Sequence, residues 1–148
     1  MRIALASDHA GYELKKTVIE HLNEKGAEIE DFGCFSKDRC NSIDYAPSVC
    51  KAVSGGAADI GILICGTGIG MSIIANKHKG IRAARCTDSY SARATRQHNN
   101  ANVLTLGARV TGVGVALEIT DTFLSTEFLG GVYAERVSKI DRLDESQK

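Results

Sequence analysis

The run Asp59–Cys65, DIGILIC, limits the fold more than any other stretch. Its apolar residues are nearly continuous rather than alternating, so both faces of the strand must be buried. Such a strand belongs at the centre of a parallel sheet with helices on each side. Shorter runs rich in Ile, Val, Leu and Ala recur at RIALAS, AEIEDFG, IRAARC and NVLTLGA, each followed by a segment of helical character. The alternation predicts an α/β fold in three α/β/α layers around a five-stranded parallel sheet, doubly wound and Rossmann-like. Helices are expected at about 10–25, 44–54, 68–78, 89–97 and 112–125, with a further C-terminal helix near 132–143.

Local stops agree with this division. Lys25-Gly26 closes the first helix and Gly55-Gly56 the second, while Asp88 is placed to cap the fourth. The only proline, Pro47, falls early in the second helix, where a missing N–H costs little. The last residues, Glu145–Lys148, are expected to fray.

A chain of 148 residues with 43% hydrophobic content is sized for one domain, residues 1–148. Its 18 basic and 18 acidic side chains cancel and are spread evenly, so nothing argues for nucleic acid as a partner. The opening MRIALASDHAGY reads as neither signal peptide nor membrane span, and a cytoplasmic protein is expected. Five cysteines, at 34, 40, 50, 65 and 86, form no C-x-x-C pair, which makes free thiols the expectation. The histidines at 9, 21, 78 and 98 are scattered, so no metal site is expected.

In open parallel sheets the ligand crevice lies beyond the carboxyl ends of the strands, where the strand order reverses. Strand one ends at SDHAG and strand three at CGTGIG. If the order begins 2-1-3, these loops flank one crevice and gather Asp8, His9, Cys65 and Thr67. Glycines 66, 68 and 70 let the backbone turn tightly and bring its N–H groups close to a ligand oxygen. Such a nest suits a phosphate or an enolate equally, and close strand–helix packing is the plainer alternative. The dinucleotide fingerprint fails, because its third glycine would fall on Met71; the phosphatase pattern C-x5-R fails at the same residue.

Cysteine at the end of a buried strand is commonly inert, but the mouth of a helix favours thiolate, which makes Cys65 a candidate base or nucleophile. The other four cysteines read as structural or incidental. His98, in TRQHNNAN, belongs to a helix end before the fifth strand, so alone it would not reach the crevice of its own subunit. Arg109 and Arg136 are either solvated surface charges or the cations of an anion site.

Together ASDHAGYELK, DYA, ICGTGIGMSIIANK, RAARCTD, ARATRQHNNANVLTLGAR and ERVSKI resemble the ribose-5-phosphate isomerase B family of sugar-phosphate isomerases, from Met1 to about Ile140. The resemblance implies a cofactor-free aldose–ketose isomerase acting on a sugar phosphate, ribose 5-phosphate first, through a cis-enediolate. It also implies a homodimer, or a tetramer, with active sites shared between subunits. In it Cys65 is the base; Asp8, Thr67 and His98 serve ring opening and hydroxyl binding; Tyr45 and Asn99 line the sugar. The backbone of Gly66, Thr67, Gly68, Ile69 and Gly70 stabilises the enediolate, and His9, Arg109 and Arg136 map to the phosphate side.

One departure stands out. Where the family usually carries GGRHxxR, this chain reads GGVYAER, so Val132 and Tyr133 replace an arginine and often a histidine, while Arg136 remains. The change widens the expected substrate range to galactose 6-phosphate, allose or another sugar. A non-catalytic phosphate- or nucleotide-binding module is the alternative that the bare α/β pattern allows.

Overall fold

The computed structural model describes residues 1–146, the last three by backbone alone. Five parallel strands, β1 (Arg2–Ser7), β2 (Glu28–Asp31), β3 (Ile60–Cys65), β4 (Ala83–Arg85) and β5 (Val103–Gly107), form one sheet in the order β2-β1-β3-β5-β4. The 2-1-3 start on which the crevice depends is therefore present. Six α-helices connect and follow the strands: α1 (Tyr12–Glu24), α2 (Ala46–Ser54), α3 (Ile69–Ala75), α4 (Ser89–Asn99), α5 (Val113–Ser125) and α6 (Val132–Ser146).

Alternation along the strands divides the core in two. Ile3 and Leu5 of β1, Ile60, Ile62 and Ile64 of β3, and Leu104 and Leu106 of β5 meet Leu14, Val18 and Leu22 of α1, Ala92 of α4 and Ile119 and Phe123 of α5. On the opposite face Ala4, Ala6, Leu63, Cys65 and Val103 meet Val49, Cys50 and Val53 of α2 and Met71 and Ala75 of α3. All six residues of β3 are buried, as its continuous apolar sequence requires. At Gly61 a Cβ would come within 2.8 Å of Val49, so this glycine lets α2 pack close to the sheet.

The helix ends follow the sequence signals. Asp88 accepts the Ser91 N–H at 2.7 Å and caps α4. Gly26 and Gly56 take φ values of +74° and +75° just past α1 and α2, and Pro47 occupies the first turn of α2. Two boundaries differ from expectation. The segment expected to begin the second helix at residue 44 forms a single 3-10 turn, Ser42–Asp44, before α2. Helix α3 stops at Ala75, because the Asn76 side chain turns to bond the Ser72 carbonyl at 3.0 Å and both backbone groups of Ala83 at 2.9 Å. The expected fray at Glu145–Lys148 falls partly on α6, which runs to Ser146; residues 147 and 148 lie outside the described residues. No helix among the described residues is long and apolar enough to cross a membrane.

Candidate active site

Three loops converge where β1, β3 and β5 end. Asp8 follows β1, and its N–H donates to the Ile64 carbonyl of β3 at 3.2 Å, which sets it beside Cys65. The next turn crosses β3 so closely that a Cβ on Gly11 would lie 2.4 Å from the Ile64 oxygen. After β5, the Arg109 N–H donates to the Gly66 carbonyl at 2.9 Å, and the Arg109 side chain lies over the Gly66 turn.

Cys65 ends β3 with 5% of its surface exposed, and its Sγ accepts the Gly68 N–H at 3.1 Å. Gly68 has φ +76°, a left-handed conformation that glycine adopts without steric penalty, and it starts α3. The Thr67 hydroxyl accepts the Ile69 N–H at 3.3 Å, and the Arg85 Nε donates to the Thr67 carbonyl at 2.6 Å. Gly70 stands in the first turn of α3, where backbone N–H groups have no partner within the helix.

Asp8 is held from two sides. One carboxylate oxygen accepts the N–H groups of Ala10 and Gly11 at 2.9 and 3.1 Å, and the other accepts the Ser42 hydroxyl at 3.1 Å. His9 packs its Nδ1 against the backbone of Cys40, 3.0 Å from the carbonyl oxygen and 3.3 Å from the amide nitrogen. The Tyr45 ring packs against Gly33, where a Cβ would come within 2.6 Å of it. Partial burial, with Cys40 and Cys34 beside it, pushes the Tyr45 hydroxyl above its usual range, so it remains a donor at neutral pH.

His98, Asn99 and Arg136 are elsewhere. Helix α4 starts beyond the carboxyl end of β4 and runs back along the sheet, carrying His98 roughly 15 Å from the cap toward the end where the strands begin. There the His98 ring stacks on Tyr133, with centroids 4.5 Å apart. Asn99 lines a groove of about 380 Å³ with Asn76, Arg82, Thr95 and Ile140. Arg136 sits over the Tyr133 ring, its guanidinium carbon 5.4 Å from the centroid. Val132 is 74% exposed.

The thiols separate by environment. Burial pushes Cys50 and Cys86 up to about 11, which keeps both protonated at neutral pH. All five cysteines are free. Among the described residues no group of three or more His, Cys, Asp or Glu side chains is placed to hold a metal ion.

The family model of the ribose/galactose isomerases matches residues 3–140. The chain belongs to this family. It is 46% identical to ribose-5-phosphate isomerase B of Escherichia coli over 144 residues, 97% of each chain. The solved structure of ribose-5-phosphate isomerase B from Clostridium thermocellum superposes with a TM-score of 0.98 at 48% identity, covering 100% of both chains. The Mycoplasma genitalium ribose-5-phosphate isomerase B, solved with bound ribulose-5-phosphate, superposes with a TM-score of 0.94 at 39% identity, covering 99% of this chain and 97% of that one.

In this ribose/galactose isomerase several supporting residues carry no sequence signal of their own. Ser42 braces Asp8, Arg85 holds the Thr67 carbonyl, and Gly107 admits that carbonyl where a Cβ would lie 2.6 Å away. Lys15 is 1% exposed and donates to both oxygens of Asp31 and to the Cys34 carbonyl, the last two contacts at 2.7 Å. Its carboxylate partner also accepts the Gly33 N–H at 2.9 Å, which fixes the turn bonded to Ser7 just before Asp8. A buried lysine paired in this way could have been suspected in DHAGYELK, because Lys15 falls on the same apolar face of α1 as Leu14, Val18 and Leu22.

Proposed function

We propose that the whole chain is a single sugar-phosphate isomerase domain that interconverts ribose 5-phosphate and ribulose 5-phosphate without metal or cofactor. The observation that carries this reading is Cys65. Its sulfur lies at the carboxyl end of β3, accepts the Gly68 N–H within the glycine turn, and has the loops of Asp8 and Arg109 on either side.

The chemistry requires a base beside an oxyanion cradle. Once the sugar ring is open, Cys65 takes the proton from C2, the electron pair forms the C1–C2 double bond, and negative charge builds on O1. The same sulfur then returns the proton to C1, while the O2 proton leaves to O1, giving the ketose. Backbone N–H groups of the Gly66–Gly70 turn that are not bonded to the Cys65 sulfur or the Thr67 hydroxyl stabilise the developing charge; one such donor is typically worth about 3 to 4 kcal/mol in the transition state. Asp8 and Thr67 hold sugar hydroxyls, Tyr45 lines the sugar, and His9 and Arg109 face the phosphate.

His98 serves ring opening, Asn99 lines the sugar and Arg136 holds the phosphate, all three from a second copy of the chain. Their position at the far end of the sheet supports this assignment, since a homodimer can bring that end of one subunit to the Cys65 crevice of the other. Partners of the protein are therefore a small sugar phosphate and a second subunit.

The test is ribose 5-phosphate isomerisation by the purified protein in excess EDTA, with unphosphorylated ribose and galactose 6-phosphate in parallel. Ribulose 5-phosphate formation unaffected by the chelator is expected. Turnover that requires added metal contradicts the cofactor-free account, and faster turnover of galactose 6-phosphate assigns a different substrate. Binding of NAD or ATP by calorimetry, without sugar turnover, would favour the nucleotide-module reading.

A further inference from the structure

The far-end cluster has one member with no role in the proposed reaction. Tyr133 stands in the first turn of α6, and two glycines just before it, Gly130 and Gly131, take φ values of +67° and +55°. The turn is closed by the Tyr133 N–H donating to the Gly130 carbonyl at 3.1 Å and the Ala134 N–H to that of Gly131 at 3.0 Å. It is also tied to α4, because the Leu129 N–H donates to the carbonyl of Gln97, the neighbour of His98, at 3.2 Å. The backbone thus delivers the Tyr133 ring to the His98 imidazole.

The two rings lie 4.5 Å apart at an interplanar angle of 18°, within the range of favourable offset stacking. One turn along α6, the Arg136 guanidinium packs on the same tyrosine ring at 5.4 Å, within cation–π range. Among the described residues, no side-chain hydrogen bond or ion pair fixes the His98 imidazole or the Arg136 guanidinium. The tyrosine ring is the contact that orients both, and its hydroxyl takes no part.

We propose that Tyr133 is a positioning residue for the isomerisation, setting the His98 ring and the Arg136 guanidinium in the orientation in which they meet the sugar phosphate. This rests on the ribose 5-phosphate reading above. It changes the meaning of GGVYAER: the tyrosine replaces one side chain of the family pattern with a flat surface that orders two others.

The test compares Tyr133→Phe and Tyr133→Leu by steady-state kinetics on ribose 5-phosphate and by NMR of the His98 ring protons. In the unaltered protein those protons are expected upfield, displaced by the tyrosine ring current. The leucine variant is expected to lose that displacement and about five- to fiftyfold in kcat/KM, from the two ring contacts together. The phenylalanine variant is expected to keep both within about twofold. Wild-type kcat/KM in the leucine variant, equal damage in the phenylalanine variant, or no ring-current displacement in the unaltered protein would each overturn the role. The NMR signal needs no substrate, so a protein that shows the stack but never turns over ribose 5-phosphate refutes the functional reading, and with it the positioning role.

Discussion

The Gly68 N–H points at the Cys65 sulfur from 3.1 Å, and the same glycine holds φ +76° as the residue that starts α3. The donor and the turn are thus one residue. A Cβ added there would stand 3.0 Å from the Leu106 carbonyl carbon in a left-handed conformation that costs an L-residue about 1–2 kcal/mol. Gly68→Ala is therefore expected to lower Tm by several degrees and to reduce kcat more than it raises KM, because the N–H moves off the sulfur. Unchanged Tm and kcat would show that the turn tolerates a side chain.

Subunit mixing tests the shared site. Cys65→Ala and His98→Asn should each be nearly inactive alone. If sites are shared as proposed, a dimer with one chain of each kind contains one intact site, so random reassociation should restore about a quarter of wild-type activity. Mixtures no more active than their components would place both residues in a site within one chain.

Much of the fold was legible in the sequence, and the reasons are specific. DIGILIC read as a central strand, and a strand order beginning 2-1-3, which the sheet has, sets the glycine turn after it beside the loop of Asp8. HNNAN was less transparent. Asn100 is the left-handed residue that closes α4, with φ +47°, and its carbonyl accepts Arg82 Nε at 3.0 Å. The Asn102 side chain accepts the Arg82 N–H and donates to the Gly80 carbonyl, both at 2.8 Å. Half of a motif that reads as chemistry is hydrogen-bonded scaffold. The Tyr133–His98 stack had no signal, because the two residues lie 35 positions apart and meet through a glycine turn that periodicity does not describe. Ser42 and Arg85 were invisible for the same reason: each acts on a loop that only the folded chain brings near.

Val132 is 74% exposed and lines a shallow groove with Arg136 and Lys139. Val132→Arg adds a third cation to that face. It should lower KM for ribose 5-phosphate by about three- to tenfold with kcat nearly constant, less than a buried charge-assisted bond would give, because solvent screens the contact. Unphosphorylated ribose should show no change. An equal gain for both sugars would refute an electrostatic origin.

Acid stability should depend on Asp121. Burial works against its charge, but hydrogen bonds from Lys25 at 2.7 Å and His21 at 2.9 Å outweigh it and hold the carboxyl below the usual range. A depressed folded-state value stabilises the protein above the unfolded value near 3.9 and stops doing so as pH falls through the folded one. Wild type should therefore exceed Asp121→Asn by up to about 1 kcal/mol at pH 6, with the gap closing toward pH 3. A gap that is constant with pH would remove the ionic contribution.

The proton shuttle at Cys65 is tested most directly by steady-state kinetics of Cys65→Ala on ribose 5-phosphate, with Cys86→Ala as the control for a buried, protonated thiol. The account predicts a folded Cys65→Ala variant with kcat lower by about 10² to 10⁴ and KM nearly unchanged, since the base acts in the transition state. Cys86→Ala should keep its kcat. Near-wild-type turnover by Cys65→Ala would contradict the account and leave the thiol as a packing residue.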